Sequence, residues 1–132
     1  MKGKSMSAKQ ENLVERIGKI LDFCRNRHLL ITYIELARLV GHPSWSSYLA
    51  QALGEIQKID HANNQPLRSA LVIKAGKMNT QYGEVEPGTR RPGDGFFLYA
   101  RKLGYDFTSD EHFWRQQIAA MGVRLGSYIS EV

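Results

Sequence analysis

The chain has 132 residues, a net charge of +5 and one cysteine, Cys24. This is the length of one ordinary domain, and a lone cysteine excludes an internal disulfide and an all-cysteine metal site. No apolar run approaches the ~20 residues that a membrane-spanning helix needs, and the basic start lacks the apolar segment of a secretory signal. We therefore expect a cytoplasmic protein with no membrane segment.

Positive charge is concentrated in two parts of the chain. Residues 1–31 hold seven Lys/Arg against three Asp/Glu, and residues 66–105 also hold seven against three. Such a balance favours polyanionic partners. We expect residues 1–7 to form a disordered basic lead and residues 8–132 to form a single domain.

The first half of the chain has the spacing of three helices. Apolar residues from Leu13 to Cys24 recur at three- and four-residue steps, which predicts a helix over residues 8–27. Thr32 and Glu35 form a capping-box pattern, and Gly41 with Pro43 supplies a stop. A short helix is thus predicted over residues 33–40. A second helix is predicted to begin at Ser44 or Trp45 and to run to Lys58, which makes a helix-turn-helix pattern.

The second half predicts a small β element followed by two further helices. Residues 67–74 have the composition of a strand, and residues 75–95 contain five Gly and two Pro. That segment is interpreted either as a wing or as a mobile surface loop. A helix is predicted over residues 96–103, stopped by Gly104. Thr108 and Glu111 predict the cap of a final helix, whose stripe of Trp114, Ile118, Met121 and Leu125 is either core or the seam of a homodimer. The expected fold class is mostly α with a small β element (α+β), a winged helix-turn-helix-like domain with additional N- and C-terminal helices.

The sequence contains no recognisable catalytic constellation. The four histidines, His28, His42, His61 and His112, have no metalloprotease spacing, and the Gly-rich segment lacks the Gly-Lys-Ser/Thr ending of a P-loop. Cys24 falls on the apolar stripe of the first helix, where a cysteine behaves as a small apolar residue. We assign no catalytic residue, no metal ligand and no cofactor.

One segment of the chain resembles a known family. "TYIELARLVGHPSWSSYLAQALGEI" followed by "NNQPLRSALVI" resembles the C-terminal DNA-binding domain of the O6-alkylguanine alkyltransferases and the alkyltransferase-like proteins. The resemblance covers about residues 30–75 and implies a winged-helix-like fold that contacts a DNA groove. The family's Pro-Cys-His-Arg acceptor motif is missing, because Pro66 is followed by Leu67, Arg68 and Ser69. Ser46, Ser47 and Tyr48 occupy the region of the family's intercalating arginine, so alkyl transfer is not implied.

These observations predict a non-catalytic, regulatory DNA-binding protein. Small polar side chains on the second helix would read base edges, and cations of the following segment would contact phosphates. The predicted DNA-binding residues are Ser46, Ser47, Gln51, Lys58, Arg68, Lys74, Lys77, Arg90 and Arg91.

Two alternatives stay open. The first is a protein-interaction module, a regulator or inhibitor on the same scaffold. It is favoured by Trp45 and Tyr48, since aromatic residues anchor protein interfaces, and by Glu55 on a helix with few cations. The second is an enzyme or lesion-processing protein whose site the sequence does not reveal. Steep salt dependence of binding to duplex DNA would distinguish DNA binding from protein binding.

Overall fold

The helices of this chain begin and end at capping and turn residues. The computed structural model describes residues 8–43, 46–76, 78–79, 84–85 and 89–124. The elements in chain order are α1 (Ala8–Asn26), β1 (Ile31–Thr32), α2 (Tyr33–Val40), α3 (Ser47–Ala62), a 3-10 helix (Arg68–Leu71), β2 (Val72–Ile73), β3 (Met78–Asn79), β4 (Glu84–Val85), α4 (Asp94–Lys102) and α5 (Asp110–Ala120). The described chain is therefore mostly helical with a small β component, as the sequence predicted.

Helix α2 has the bounds that the sequence predicted. The Thr32 hydroxyl accepts a hydrogen bond from the Glu35 amide at 3.1 Å. Gly41 ends the helix in the left-handed region, with φ 75°, where a residue without Cβ is favoured. The Glu35 carboxylate lies 3.2 Å from the Arg38 guanidinium.

Three predicted helix starts were wrong. Helix α4 begins at Asp94 and ends at Lys102, where residues 96–103 were predicted. Helix α3 begins at Ser47 and not at residue 44 or 45, because the hydroxyl of Ser46 caps it by accepting from the Tyr48 amide at 3.2 Å. It also continues past Lys58 to Ala62. The final helix is capped by Ser109, which accepts from the His112 amide at 3.1 Å, and not by Thr108. In the last two places a serine next to the predicted start has the extended backbone that a cap requires.

Half of the strand predicted over residues 67–74 is a 3-10 helix, Arg68–Leu71. Only Val72–Ile73 forms a strand. The preceding backbone groups pair with side chains of α5 instead of a neighbouring strand: Leu67 N donates to Gln117 Oε1 and Ala70 O accepts from Trp114 Nε1, both at 2.9 Å. These distant partners satisfy polar groups that a strand would have to pair along a ladder.

Two small sheets complete the β component. β1 and β2 are parallel, with Ile31 opposite Val72 and Thr32 opposite Ile73. β3 and β4 are antiparallel, with Met78 opposite Val85, and they lie within the segment predicted to be a wing or a loop. Residues 77, 80–83 and 86–88 of that segment lie outside the described ranges.

The hydrophobic core contains residues from all five helices. Its fully buried side chains include Ile17, Leu36, Leu49 and Phe97. The stripe predicted to be either core or a homodimer seam belongs to this core, since Trp114, Ile118 and Met121 are buried within the chain itself; Leu125 lies outside the described residues. In the described part of the chain, no helix combines the length and the apolar composition needed to cross a membrane.

Candidate nucleic-acid interface

Three of the predicted groove residues lie on the outer face of α3. Ser47, Gln51 and Lys58 are exposed, and their spacing of four and seven residues aligns them along one stripe. Gln51 Oε1 accepts a hydrogen bond from Gln10 Nε2 at 3.0 Å, which ties its side chain to α1. The half-buried Glu55 lies on the same stripe, so the face is polar and close to neutral.

Ser46 does not belong to this exposed stripe. It is only 9% exposed, and its hydroxyl oxygen caps α3 as described above. Its hydroxyl is therefore engaged in the cap, and its role as a base-reading side chain stays a prediction. A serine before a helix is a capping signal as much as a contact signal, and here the cap uses the hydroxyl.

Arg68 is engaged inside the protein by two carboxylates. Its Nη2 lies 2.9 Å from Asp60 Oδ1 and its Nη1 lies 3.0 Å from Asp22 Oδ1. Its backbone amide also donates to Asp60 Oδ2 at 2.9 Å. Burial lowers the pKa of Arg68, but the hydrogen bonds and negative charges of Asp60 and Asp22 outweigh burial and raise the pKa above its usual value. Arg68 is thus paired with two carboxylates of the protein, and its contact with a phosphate stays a prediction.

The backbone that carries Lys74, Arg90 and Arg91 passes close to the N-terminal end of α2. Pairing of β1 with β2 brings Ile73, and therefore the adjacent Lys74, beside the start of that helix. The Lys74 amide donates to Arg91 O at 2.9 Å, and the Gly93 amide donates to the Tyr33 hydroxyl at 3.1 Å. Residues 74, 90, 91 and 93 are thus held around the first turn of α2, although 41 residues or more separate Lys74 and Arg91 from Tyr33.

These cations differ in how accessible they are. Lys74 is exposed. Arg90 is half-buried and its Nε donates to Ala75 O at 2.9 Å. Arg91 lies 3.4 Å from Asp110 and its guanidinium carbon lies 5.2 Å from the centre of the Phe97 ring. Lys74 is therefore the side chain of this cluster best placed to meet an external anion, and Lys77 lies outside the described residues.

Sequence reasoning did not assign Tyr33 to this site. Its side chain is partly buried, and burial raises the pKa of its hydroxyl, although the hydrogen bond from Gly93 acts in the opposite direction. Tyr33 therefore stays neutral at physiological pH and links the start of α2 to the residues before α4. A tyrosine directly after a capping threonine was the only available signal, and its partner lies 60 residues away.

The described residues contain no group of three His, Cys, Asp or Glu side chains that could hold a metal ion. Cys24 is buried on α1, and burial raises the pKa of its thiol to about 11, which disfavours the reactive thiolate. The arrangement favours binding through helix α3 and the cations near α2. Comparison of the chain with protein families, with curated proteins and with solved structures finds no match.

Proposed function

We propose that this chain binds duplex DNA in the manner of a winged helix-turn-helix protein. The observation that supports the proposal most is that the backbone of Lys74, Arg90 and Arg91 passes close to the N-terminal end of α2. In helix-turn-helix proteins the first helix of the pair crosses the phosphate backbone while the second enters the major groove. Here α2 would be the first helix and α3 the second.

Two kinds of positive charge coincide at the start of α2. The first amides of a helix carry the positive end of its dipole, and Lys74 adds a full charge beside them. A phosphate placed there would meet both. Contacts of this kind position a protein on DNA without reading its sequence.

Helix α3 would supply the sequence-reading contacts. Gln51 is exposed near the N-terminal half of α3, and an amide side chain can pair in a bidentate manner with adenine in the major groove. Lys58 lies at the other end of the stripe, where it would reach a phosphate or a guanine. The resemblance of residues 30–75 to the DNA-binding domain of the alkyltransferases supports the same function. Alkyl transfer is not proposed, because no cysteine follows Pro66 and Cys24 is buried.

The experiment measures binding to mixed duplex DNA over a series of salt concentrations by fluorescence anisotropy. The parent should bind with an affinity that falls steeply with salt, because each phosphate contact releases about one counterion. Lys74→Ala and Lys58→Ala should each flatten the slope of log K against log salt by roughly one unit. Glu55→Gln should strengthen binding, since it removes a carboxylate that faces the DNA.

Lys102→Ala is the matched control. Lys102 is also an exposed lysine, but it lies at the opposite end of α4 from the Tyr33 contact, roughly 12 Å along the helix. Its replacement should leave the slope unchanged. If the parent does not bind duplex DNA at low salt, or if Lys102→Ala and Lys74→Ala behave alike, the proposed interface is wrong.

Gln51→Ala tests the reading role separately. It should change the preference for one base pair by about 1–3 kcal/mol and leave the salt slope unaltered. A uniform loss over all DNA sequences would instead place Gln51 with the phosphate contacts.

The second candidate function is that of a protein-interaction module. One observation favours it: Tyr48 is 55% exposed at the start of α3, with the His42 ring 6.3 Å from its own. Exposed tyrosines are frequent anchors of protein interfaces. If DNA binding fails while Tyr48→Ala abolishes binding to a protein partner, this second function replaces the first.

A further inference from the structure

A second surface, between α1 and α2, has a different chemistry from the proposed DNA interface. A groove of about 420 Å³ runs between α1 and α2, and its lining residues are Lys19, Ile20, Phe23, Glu35 and Leu39. Phe23 is 46% exposed and Leu39 is 49% exposed. The walls therefore present apolar surface to solvent at a place where the two helices leave space between them.

Cations surround this apolar groove. The Arg27 guanidinium lies over the Phe23 ring, 4.1 Å from its centre, and Arg16 Nη2 donates to Leu39 O at 3.5 Å. Lys19 lies between them along α1 and its ammonium is 3.5 Å from Glu15. The rim thus has a positive potential, because the carboxylates near it are already paired with cations.

The carboxylates are Glu15, which pairs with Lys19, and Glu35, which pairs with Arg38 at 3.2 Å. Arg16 and Arg27 remain as positive charges without a carboxylate partner among the described residues. Asp22 of the same helix turns away to Arg68. The groove therefore combines an apolar floor with an excess of two positive charges at its edge.

We propose that this groove binds an amphipathic helix of a partner protein that carries acidic residues beside its apolar stripe. The proposal does not depend on DNA binding, since it uses other residues. The stretch of α1 from Arg16 to Arg27 is roughly 16 Å long, which matches about three turns of helix. A helix of that length presents apolar side chains at i, i+4 and i+7, the anchors that helix-in-groove recognition uses, and Asp or Glu beside them would meet Arg16 and Arg27.

Other occupants fit the surface less well. A second copy of this chain would bring the same cations face to face, and like charges across an interface oppose association. A phosphate backbone would pair with the arginines but would gain nothing from Ile20, Phe23 and Leu39, because the apolar contribution to binding requires an apolar partner.

The probes are three synthetic helical peptides of equal length. The first has leucines at helical spacing flanked by glutamates, the second has the same leucines flanked by lysines, and the third has the glutamates but serines in place of the leucines. Binding is measured by fluorescence anisotropy, and the contact surface by perturbation of backbone amide signals in NMR spectra of the full chain. The first peptide should bind and should perturb the amides around Ile20, Phe23 and Leu39. The second and third peptides should bind at least about tenfold more weakly.

Variants of the chain locate the contact. Phe23→Ser and Leu39→Ser should each weaken binding of the first peptide by about tenfold or more, and Arg16→Glu should weaken it and reduce its salt dependence. Leu98→Ser is the control, because Leu98 is an equally exposed leucine, at 60%, on the distant helix α4. All four variants should keep the parent's unfolding midpoint within a small margin, because the replaced side chains are exposed.

Four outcomes of the peptide experiments would overturn the proposal. They are no binding of the first peptide at millimolar concentration, equal binding of the lysine peptide, perturbed amides that lie elsewhere, and displacement of the peptide by a short DNA duplex that perturbs the same amides. Concentration-dependent changes at Phe23 in the free protein would identify a second copy as the occupant and would overturn it as well.

Discussion

Replacement of Asp60 by asparagine should show how much the ion pair between Asp60 and Arg68 contributes to the stability of the protein. Asp60→Asn keeps the shape of the side chain and one oxygen acceptor, but it removes the negative charge that faces the guanidinium. The Asp60 side chain is 6% exposed and the Arg68 side chain is 16% exposed. The change therefore leaves a cation in a largely dehydrated position.

The magnitude follows from that burial. Removing one partner of a buried ion pair costs about 3–5 kcal/mol, since the remaining charge has lost its hydration and its partner. Arg68 keeps Asp22 at 3.0 Å, so we expect the lower end, about 3 kcal/mol. Asp22→Asn is the matched control: this carboxylate is 57% exposed, and an exposed ion pair contributes about 0–1 kcal/mol.

The assay is urea unfolding followed by tryptophan fluorescence. Of the two tryptophans, Trp114 is buried and donates to Ala70 O at 2.9 Å. The double variant Asp60→Asn/Arg68→Met should recover part of the loss, because it removes the unpaired charge. The reasoning is refuted if Asp60→Asn lies within about 1 kcal/mol of the parent, or if Asp22→Asn costs as much.

Three further predictions concern local features. Thr32→Ala should lower the free energy of unfolding by about 1 kcal/mol through loss of the cap on the Glu35 amide, and Thr32→Ser should restore it; an unchanged urea midpoint would contradict the cap. Alkylation of Cys24 should be slow in the native protein at pH 8 and fast in denaturant. Because burial raises the pKa of its thiol from 9.0 to about 11, the neutral thiol should contribute its full stabilisation below pH 9. That contribution should be lost as the pH rises through about 11. Rapid native alkylation would show that the thiol is accessible. Gly122→Ala should destabilise the protein for two reasons: the added Cβ would lie 2.8 Å from His28 Nδ1, and residue 122 has a φ of 74°. Adding His28→Ala should remove the steric contact but not the part of the loss that comes from the backbone. Full rescue would mean that the steric contact alone is responsible.

Helix α2 illustrates what local signals predict well. A threonine followed by glutamate three residues later, and a glycine at the end, predicted the bounds of α2, because the groups that begin and end a helix lie within one turn of its ends. The same kinds of signal gave predicted starts for α3 and α5 that differ from the observed starts by one to three residues. Neighbouring serines and threonines compete for the cap, and the choice depends on where the chain enters the helix from the rest of the fold.

The residues of the candidate site also differ in whether local sequence signals were sufficient to predict their surroundings. Exposure of Ser47, Gln51 and Lys58 follows from the apolar stripe on the other side of α3, so the sequence was sufficient to predict it. The sequence was not sufficient for Arg68, whose partners Asp60 and Asp22 lie eight and 46 residues away. An arginine near a predicted DNA-binding helix has the same local pattern whether it meets a phosphate or a buried carboxylate.

The sequence by itself therefore determined the helical segments, the polar outer face of α3 and the burial of Cys24, since each depends on periodicity or on groups within one helical turn. Only the tertiary structure decided that the backbone of Lys74, Arg90 and Arg91 lies near the start of α2, and that an apolar groove with cations at its edge lies between α1 and α2. Both features arise from contacts between residues far apart in the chain, namely the parallel pairing of β1 with β2 and the packing of helices on the shared core. The spacing of side chains along one segment does not indicate which distant segment will pack against it.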